Sequence, residues 1–146
     1  MTLNNLLGVS LEAVQPDSTS IARLLEAAQS SLRDSQLFGL SSEGRFDLAY
    51  KAIMQCANAA LQANGYRTLT SKPGHHQTMI QTLPRTIGLE ASVMVLLDQM
   101  RKQRNIIDYS GDLVSESLAD EAVRQAAMLL ERVVAWICTH KPDLAP

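Results

Sequence analysis

Four things are scarce or missing in this chain, and each removes a class of protein. No stretch approaches the roughly 18 consecutive apolar residues of a membrane-spanning helix, and no basic stretch followed by an apolar run opens the N-terminus. A soluble, cytoplasmic protein is therefore expected. The two cysteines, Cys56 and Cys138, lack the close spacing of a zinc site or a redox pair. Both lie in segments of helical apolar periodicity, so buried reduced thiols in a reducing compartment are expected. An excess of one charge is also missing: 13 basic against 15 acidic side chains leave a formal charge of −2. Long-range attraction to phosphate is thereby excluded, and any nucleic-acid contact must come from a local patch. Finally, aromatics make up only 4% of residues and no alternating strand pattern persists beyond a few positions. That leaves an all-α fold.

What is present is helical periodicity. The 146 residues suit one domain with a single core. Residues 1–16 read as a lead-in whose Leu3, Leu6, Leu7, Val9, Leu11 and Val14 fold over the core before Pro16, and residues 17–146 read as the domain. Asp17 and Ser18 offer caps for a first helix over 20–35. A second follows Ser41 and Ser42, carries Phe46, Ala49, Tyr50, Ile53, Met54, Ala57, Ala60 and Leu61 on one wide face, and stops at Gly65. Tyr66 to Gly74 reads as a loop. A short helix from His75 to Leu83 ends at Pro84, which disfavours α geometry in the residue before it. Beyond Gly88 a helix carries Leu89, Val93, Leu96, Leu97 and Met100 on one side. After Ser110–Asp112, Ser117 caps a last helix that reaches His140 and is closed by Pro142. Short connections between long amphipathic helices predict an up-and-down bundle of four main helices plus one short helix.

One position breaks the pattern. At about 100° per residue Arg104 projects close to Val93, Leu97 and Met100, so a charge occupies the apolar stripe. Asp108 lies four residues on, and Asn105 with Tyr109 forms a second four-spaced pair on the adjoining side. Arg104 and Asp108 are either a solvated ion pair at a fraying helix tip, worth about 0.3–0.5 kcal/mol, or part of a cleft or subunit interface in which the guanidinium grips a phosphate.

The order of helices, with "RFDLAYKAIMQCANAALQANGYR", "PGHHQTMIQTL" and "LDQMRKQRNIIDY", resembles the HEPN superfamily, the higher eukaryotes and prokaryotes nucleotide-binding domain, and especially its small stand-alone prokaryotic members. The likeness runs from about Asp17 to His140. It implies a helical bundle, often dimeric, of a kind that includes RNA-cleaving toxins and defence proteins paired with a nucleotidyltransferase-like antitoxin. The family signature is an arginine, often followed by a polar residue such as asparagine, then a histidine after four residues; two such motifs meet in a dimer cleft. Arg104 and Asn105 match its first part, and Tyr109 stands in the histidine position. The resemblance thus implies catalytic roles for Arg104, Asn105 and Tyr109, and the departure puts cleavage in question. A tyrosine with an ordinary pKa near 10 is a poor base at neutral pH, although it can donate a hydrogen bond or stack on a nucleobase.

Further binding candidates surround this motif. His75 and His76 follow a proline-glycine turn, a pattern that resembles the same subgroup; one of them can face the Arg104 cleft, or both can simply anchor the short helix. Adjacent histidines point different ways and no third ligand has suitable spacing, so neither a metal nor another cofactor is expected. Tyr66 and Arg67 offer a ring and a cation near that loop, and Asp108 either neutralises or orients Arg104. Arg101, Lys102 and Arg104, with Arg85 and Lys72 nearby, form the one notable basic cluster; if two chains pair along the fourth main helix, both clusters line one groove. His140, at a helix C-terminus, is given no chemistry. Three functions follow: a homodimeric module that binds RNA or a nucleotide, a ribonuclease toxin with a degenerate motif, and a bundle that binds a protein partner such as a nucleotidyltransferase antitoxin.

Overall fold

The computed structural model describes residues 2–71 and 73–146. Local chemistry sets most of the helix ends. Helix α1, Ser18–Ser35, starts where the Asp17 carboxylate accepts hydrogen bonds from the amides of Thr19 and Ser20. The Ser20 hydroxyl, which donates to the same carboxylate at 2.7 Å, is the largest influence holding Asp17 below its ordinary pKa, ahead of the Thr19 amide. Helix α2, Ser42–Ala63, is capped by the Ser41 hydroxyl, which accepts from the Gly44 amide, and the chain leaves it through Gly65 at φ 89°. Helix α5, Ala91–Ser110, ends at Gly111, also left-handed, whose amide donates to the Ile107 carbonyl. Helix α6, Glu116–His140, begins at Ser115, whose hydroxyl accepts from the Leu118 amide. The expected cap at Ser117 is therefore corrected: Ser115 supplies the oxygen, and Ser117 is already inside the first turn.

Two short helices connect α2 to α5. Helix α3, His75–Gln81, stops before Pro84, as expected, but the chain does not leave helical geometry there. Pro84 falls within the first turn of another short helix, α4, Leu83–Thr86, where its missing N–H costs nothing. The expected loop after Gly65 also contains regular structure. Strand β2, Tyr66–Thr68, pairs antiparallel with β1, Leu11–Ala13, in the register Leu11↔Thr68, Glu12↔Arg67, Ala13↔Tyr66. This ribbon pins the lead-in to the bundle; Leu3 and Leu11 are buried as expected, whereas Leu7 and Val9 are exposed. Three-residue strands are too short to leave an alternating signature in the sequence.

The architecture is an all-α bundle, with this ribbon as a small addition. Asn64 at the end of α2 donates to the carbonyl of Thr86, just ahead of α5. Asp47 near the start of α2 meets Arg104 near the end of α5. These two helices therefore run antiparallel. Arg132, late in α6, pairs with Glu90 at the start of α5 at 3.0 Å, so α6 reverses again. Helix α2 forms the axis, packed mainly against α1 and α6. It buries alanines at 49, 52, 57, 59, 60 and 63 together with Phe46, Tyr50, Ile53 and Leu61. Cys56 lies in this core, where burial pushes its thiol up to about 12; Cys138 is exposed, contrary to expectation, because its position on α6 faces solvent. Among the described residues no helix is long and apolar enough to cross a membrane.

Candidate functional site

Helix α5 is held against α3 by a buried carboxylate. Arg101 Nε donates to Asp98 Oδ1 at 2.7 Å, Gln81 of α3 reaches Oδ2 at 3.4 Å, and Lys102 Nζ lies 3.8 Å from the same oxygen. Burial alone would raise the Asp98 pKa, but the hydrogen bond and charge of Arg101, with Gln81 and Lys102, hold it below the ordinary value. Arg101 is thereby committed to a structural partner, and Lys102 stands at the exposed edge.

One turn further, Arg104 points inward. Its Cζ sits 5.0 Å from the centroid of the Tyr50 ring, a cation–π geometry. Its ion-pair partner is Asp47 of α2, with Nε 3.6 Å from Oδ1. That separation is beyond hydrogen-bonding range, and Nε, although buried, has no hydrogen-bond partner. Of the two readings left open for Arg104, the solvated pair with Asp108 is not the one found. No Arg104–Asp108 ion pair occurs among the described residues, because stacking on Tyr50 turns the guanidinium into the bundle while Asp108 stays exposed on the outside of α5.

The two histidines arrive at the same place from α3. Tyr50 Oη lies 3.3 Å from His76 Nδ1, the rings are 5.9 Å apart, and His75 meets His76 edge to face at 4.9 Å. Burial raises the Tyr50 pKa to about 12, so its hydroxyl stays protonated; its oxygen can accept from His76 Nδ1–H, the tautomer that leaves the Nε2 lone pair available. Burial likewise lowers the pKa of His76, and repulsion from His75, Arg104 and Arg101 adds to the effect. An imidazole kept neutral beside a guanidinium can accept a proton while the cation holds an anion. His75 Nδ1 is a second buried nitrogen without a partner.

These groups line one end of a cavity of about 600 Å³ that runs along α2. Its apolar lining includes Met54, Met79 and Leu24 of α1; Lys51, Asn58 and Gln62 contribute polar groups from α2, and Arg67, Thr68 and Thr70 line it as well. Arg67 is ion-paired with Glu12 across the ribbon.

The candidates chosen from sequence thus separate. Arg104, His75, His76 and Arg67 share the cavity. Asn105 borders a smaller depression with His75, His76 and Arg101. Tyr109 is 94% exposed and lies with Ile106 and Ser110 on the outer surface of α5, so within one chain it does not join Arg104. Tyr66 turns to the other end, where its hydroxyl donates to Asn4 Oδ1 and Arg85 lies close by. Lys72 lies outside the described residues. His140 stacks on Trp136 and contacts its backbone carbonyl at 3.1 Å, a helix-end arrangement. Among the described residues no group of three or more His, Cys, Asp or Glu side chains could hold a metal ion. Sequence reasoning missed Tyr50 and Asp47, which come from α2, because spacing within α5 carries no information about a neighbouring helix.

No protein-family model, curated protein or solved structure matches the chain.

Proposed function

We propose that the chain is a cytoplasmic, HEPN-like module that binds RNA or a nucleotide in the groove between α2, α3 and α5. In this reading it works as a homodimer in a toxin-antitoxin or defence-type system, with a nucleotidyltransferase-like antitoxin as a fitting protein partner. The observation that carries it is Arg104: a half-buried guanidinium stacked on Tyr50, with Nε unsatisfied, beside a neutral histidine. The enclosed Nε–H lacks a hydrogen bond, while the rest of the side chain, 35% exposed, borders the groove and can reach an anionic guest. The family likeness of the sequence supports the same reading, although the groups that gather around Arg104 are the α3 histidines and not Tyr109.

Filter binding of labelled RNA at about 50 and 200 mM salt tests this, since phosphate contacts by Lys and Arg weaken steeply over that range. The wild-type chain should show that loss, and Arg104→Ala should bind more weakly at both concentrations. Binding indifferent to both salt and the substitution would refute the groove.

A second reading, a metal-independent ribonuclease, is favoured by the position of His76. A neutral imidazole can take the proton of an RNA 2′-hydroxyl as its oxygen attacks the adjacent phosphate, while Arg104 steadies the charge and solvent water protonates the departing 5′-oxygen. Cleavage of labelled RNA should then disappear in both Arg104→Ala and His76→Ala. Cleavage surviving both substitutions would point to a contaminant.

A further inference from the structure

The cavity offers three kinds of surface in sequence along α2, and together they describe a ligand more narrowly than a phosphate patch does. At the α5 end the cavity is lined by Arg104, whose side chain is 35% exposed, and by His75; their Nε and Nδ1 are enclosed and have no hydrogen-bond partner among the described residues. Further along α2 the lining is apolar and adaptable, with Met54, Met79 and Leu24. Beyond it Gln62 Nε2 donates to Asn58 Oδ1 at 3.2 Å. That bond leaves Asn58 Nδ2 as a donor and Gln62 Oε1 as an acceptor, neither with a protein partner among the described residues. Lys51 and Asn58 are two turns apart on α2, about 10 Å at the helical rise.

We infer that each chain carries, by itself, a seat for one nucleotide: the phosphoryl group on Arg104 and His75, the base over the two methionines, and its polar edge on the Asn58–Gln62 amide pair. This deepens the groove reading and rests on it, but it needs neither a second chain nor the outer surface of α5. The volume suits one such ligand, since pockets of about 300–1,000 Å³ enclose molecules of that size. One feature opposes an anion. Asp47 occupies the approach to Arg104, so the phosphoryl group must displace it. Asp47 is held only loosely there, 46% exposed and 3.6 Å from Nε, and can swing toward solvent. The same shared chemistry belongs to a free nucleoside monophosphate and to the phosphorylated end of an RNA chain.

Isothermal titration of the whole chain with AMP, adenosine and inorganic phosphate tests the assignment. AMP should bind one per chain and more tightly than either fragment. Arg104→Ala should weaken AMP about 10- to 100-fold, the worth of a hydrogen bond to a charged group. Asn58→Ala should weaken AMP and adenosine but leave phosphate unchanged. Asp47→Asn should tighten AMP about two- to fivefold by removing the competitor, a gain that misfolding cannot produce. Competition by a 5′-phosphorylated dinucleotide would identify chain ends as ligands, and its failure to compete would identify the free nucleotide; either result sustains the seat. AMP binding no tighter than phosphate, or unchanged across the three variants, overturns it. Salt-sensitive, Arg104-dependent RNA binding without AMP binding would leave the groove reading intact and remove this one, whereas loss of both would remove the groove as well.

Discussion

Arg104 shows what periodicity can and cannot say about a single side chain. Its angle on the helix placed it on the inner stripe, and the structure has it there, over Tyr50. Its partner was beyond reach, because the four-residue spacing that pointed to Asp108 sees only one helix, whereas the ion pair crosses to Asp47 on another. The histidines carry a measurable consequence. His76 is held below the ordinary imidazole value near 6.5, by burial first and then by His75, Arg104 and Arg101. Above that pH the ring is neutral whether the chain is folded or not. As pH falls below about 6.5 the unfolded chain takes up a proton that the folded chain resists, so stability falls on acidification. Urea midpoints should drop between pH 7.5 and pH 5.5, and the drop should be smaller in His76→Gln. An equal drop in the variant would assign the effect to other groups.

At the scale of elements, the four long helices were legible because each carries a wide apolar face and most of their ends carry a recognisable stop or cap. The exceptions have physical causes. Two serines within three residues both offered an oxygen to α6, and only geometry selects Ser115. Ser115→Ala should cost about 1 kcal/mol in chemical denaturation, while Ser117→Ala should leave stability nearly unchanged; the reverse order would contradict the cap. The β1–β2 ribbon joins segments more than 50 residues apart, so no local window contains its signal. The staple between α3 and α5 is equally non-local. Removing its carboxylate with Asp98→Ala strands Arg101 and should destabilise the chain by about 1–3 kcal/mol. Because α3 carries both histidines, the same variant should also weaken ligand binding in the groove. Undiminished stability would show that the α3–α5 contact does not depend on that carboxylate.

For the whole molecule, the class followed from composition and periodicity and the alternation of helix directions from loop lengths, whereas the division of α5 into two working sides did not. Its inner side closes the groove through Arg104; its outer side exposes Ile106 and Tyr109, with Leu113 exposed just beyond the helix end. If the proposed homodimer pairs along α5, Ile106→Lys should shift sedimentation toward the monomer and leave AMP binding intact. A wild-type chain that sediments as a monomer at micromolar concentration would end that pairing.

The alanines of α2 have a last consequence, one of thermodynamic division of labour. An alanine freezes no rotamers when it is buried, so ordering the axis of the bundle draws little on side-chain entropy. Arginine, glutamine and methionine, which have the most to lose, gather instead along the groove. Folding thus leaves much of its residual freedom beside the groove, and a guest that enters must complete the ordering there, with an unfavourable entropy and a compensating enthalpy as its calorimetric mark.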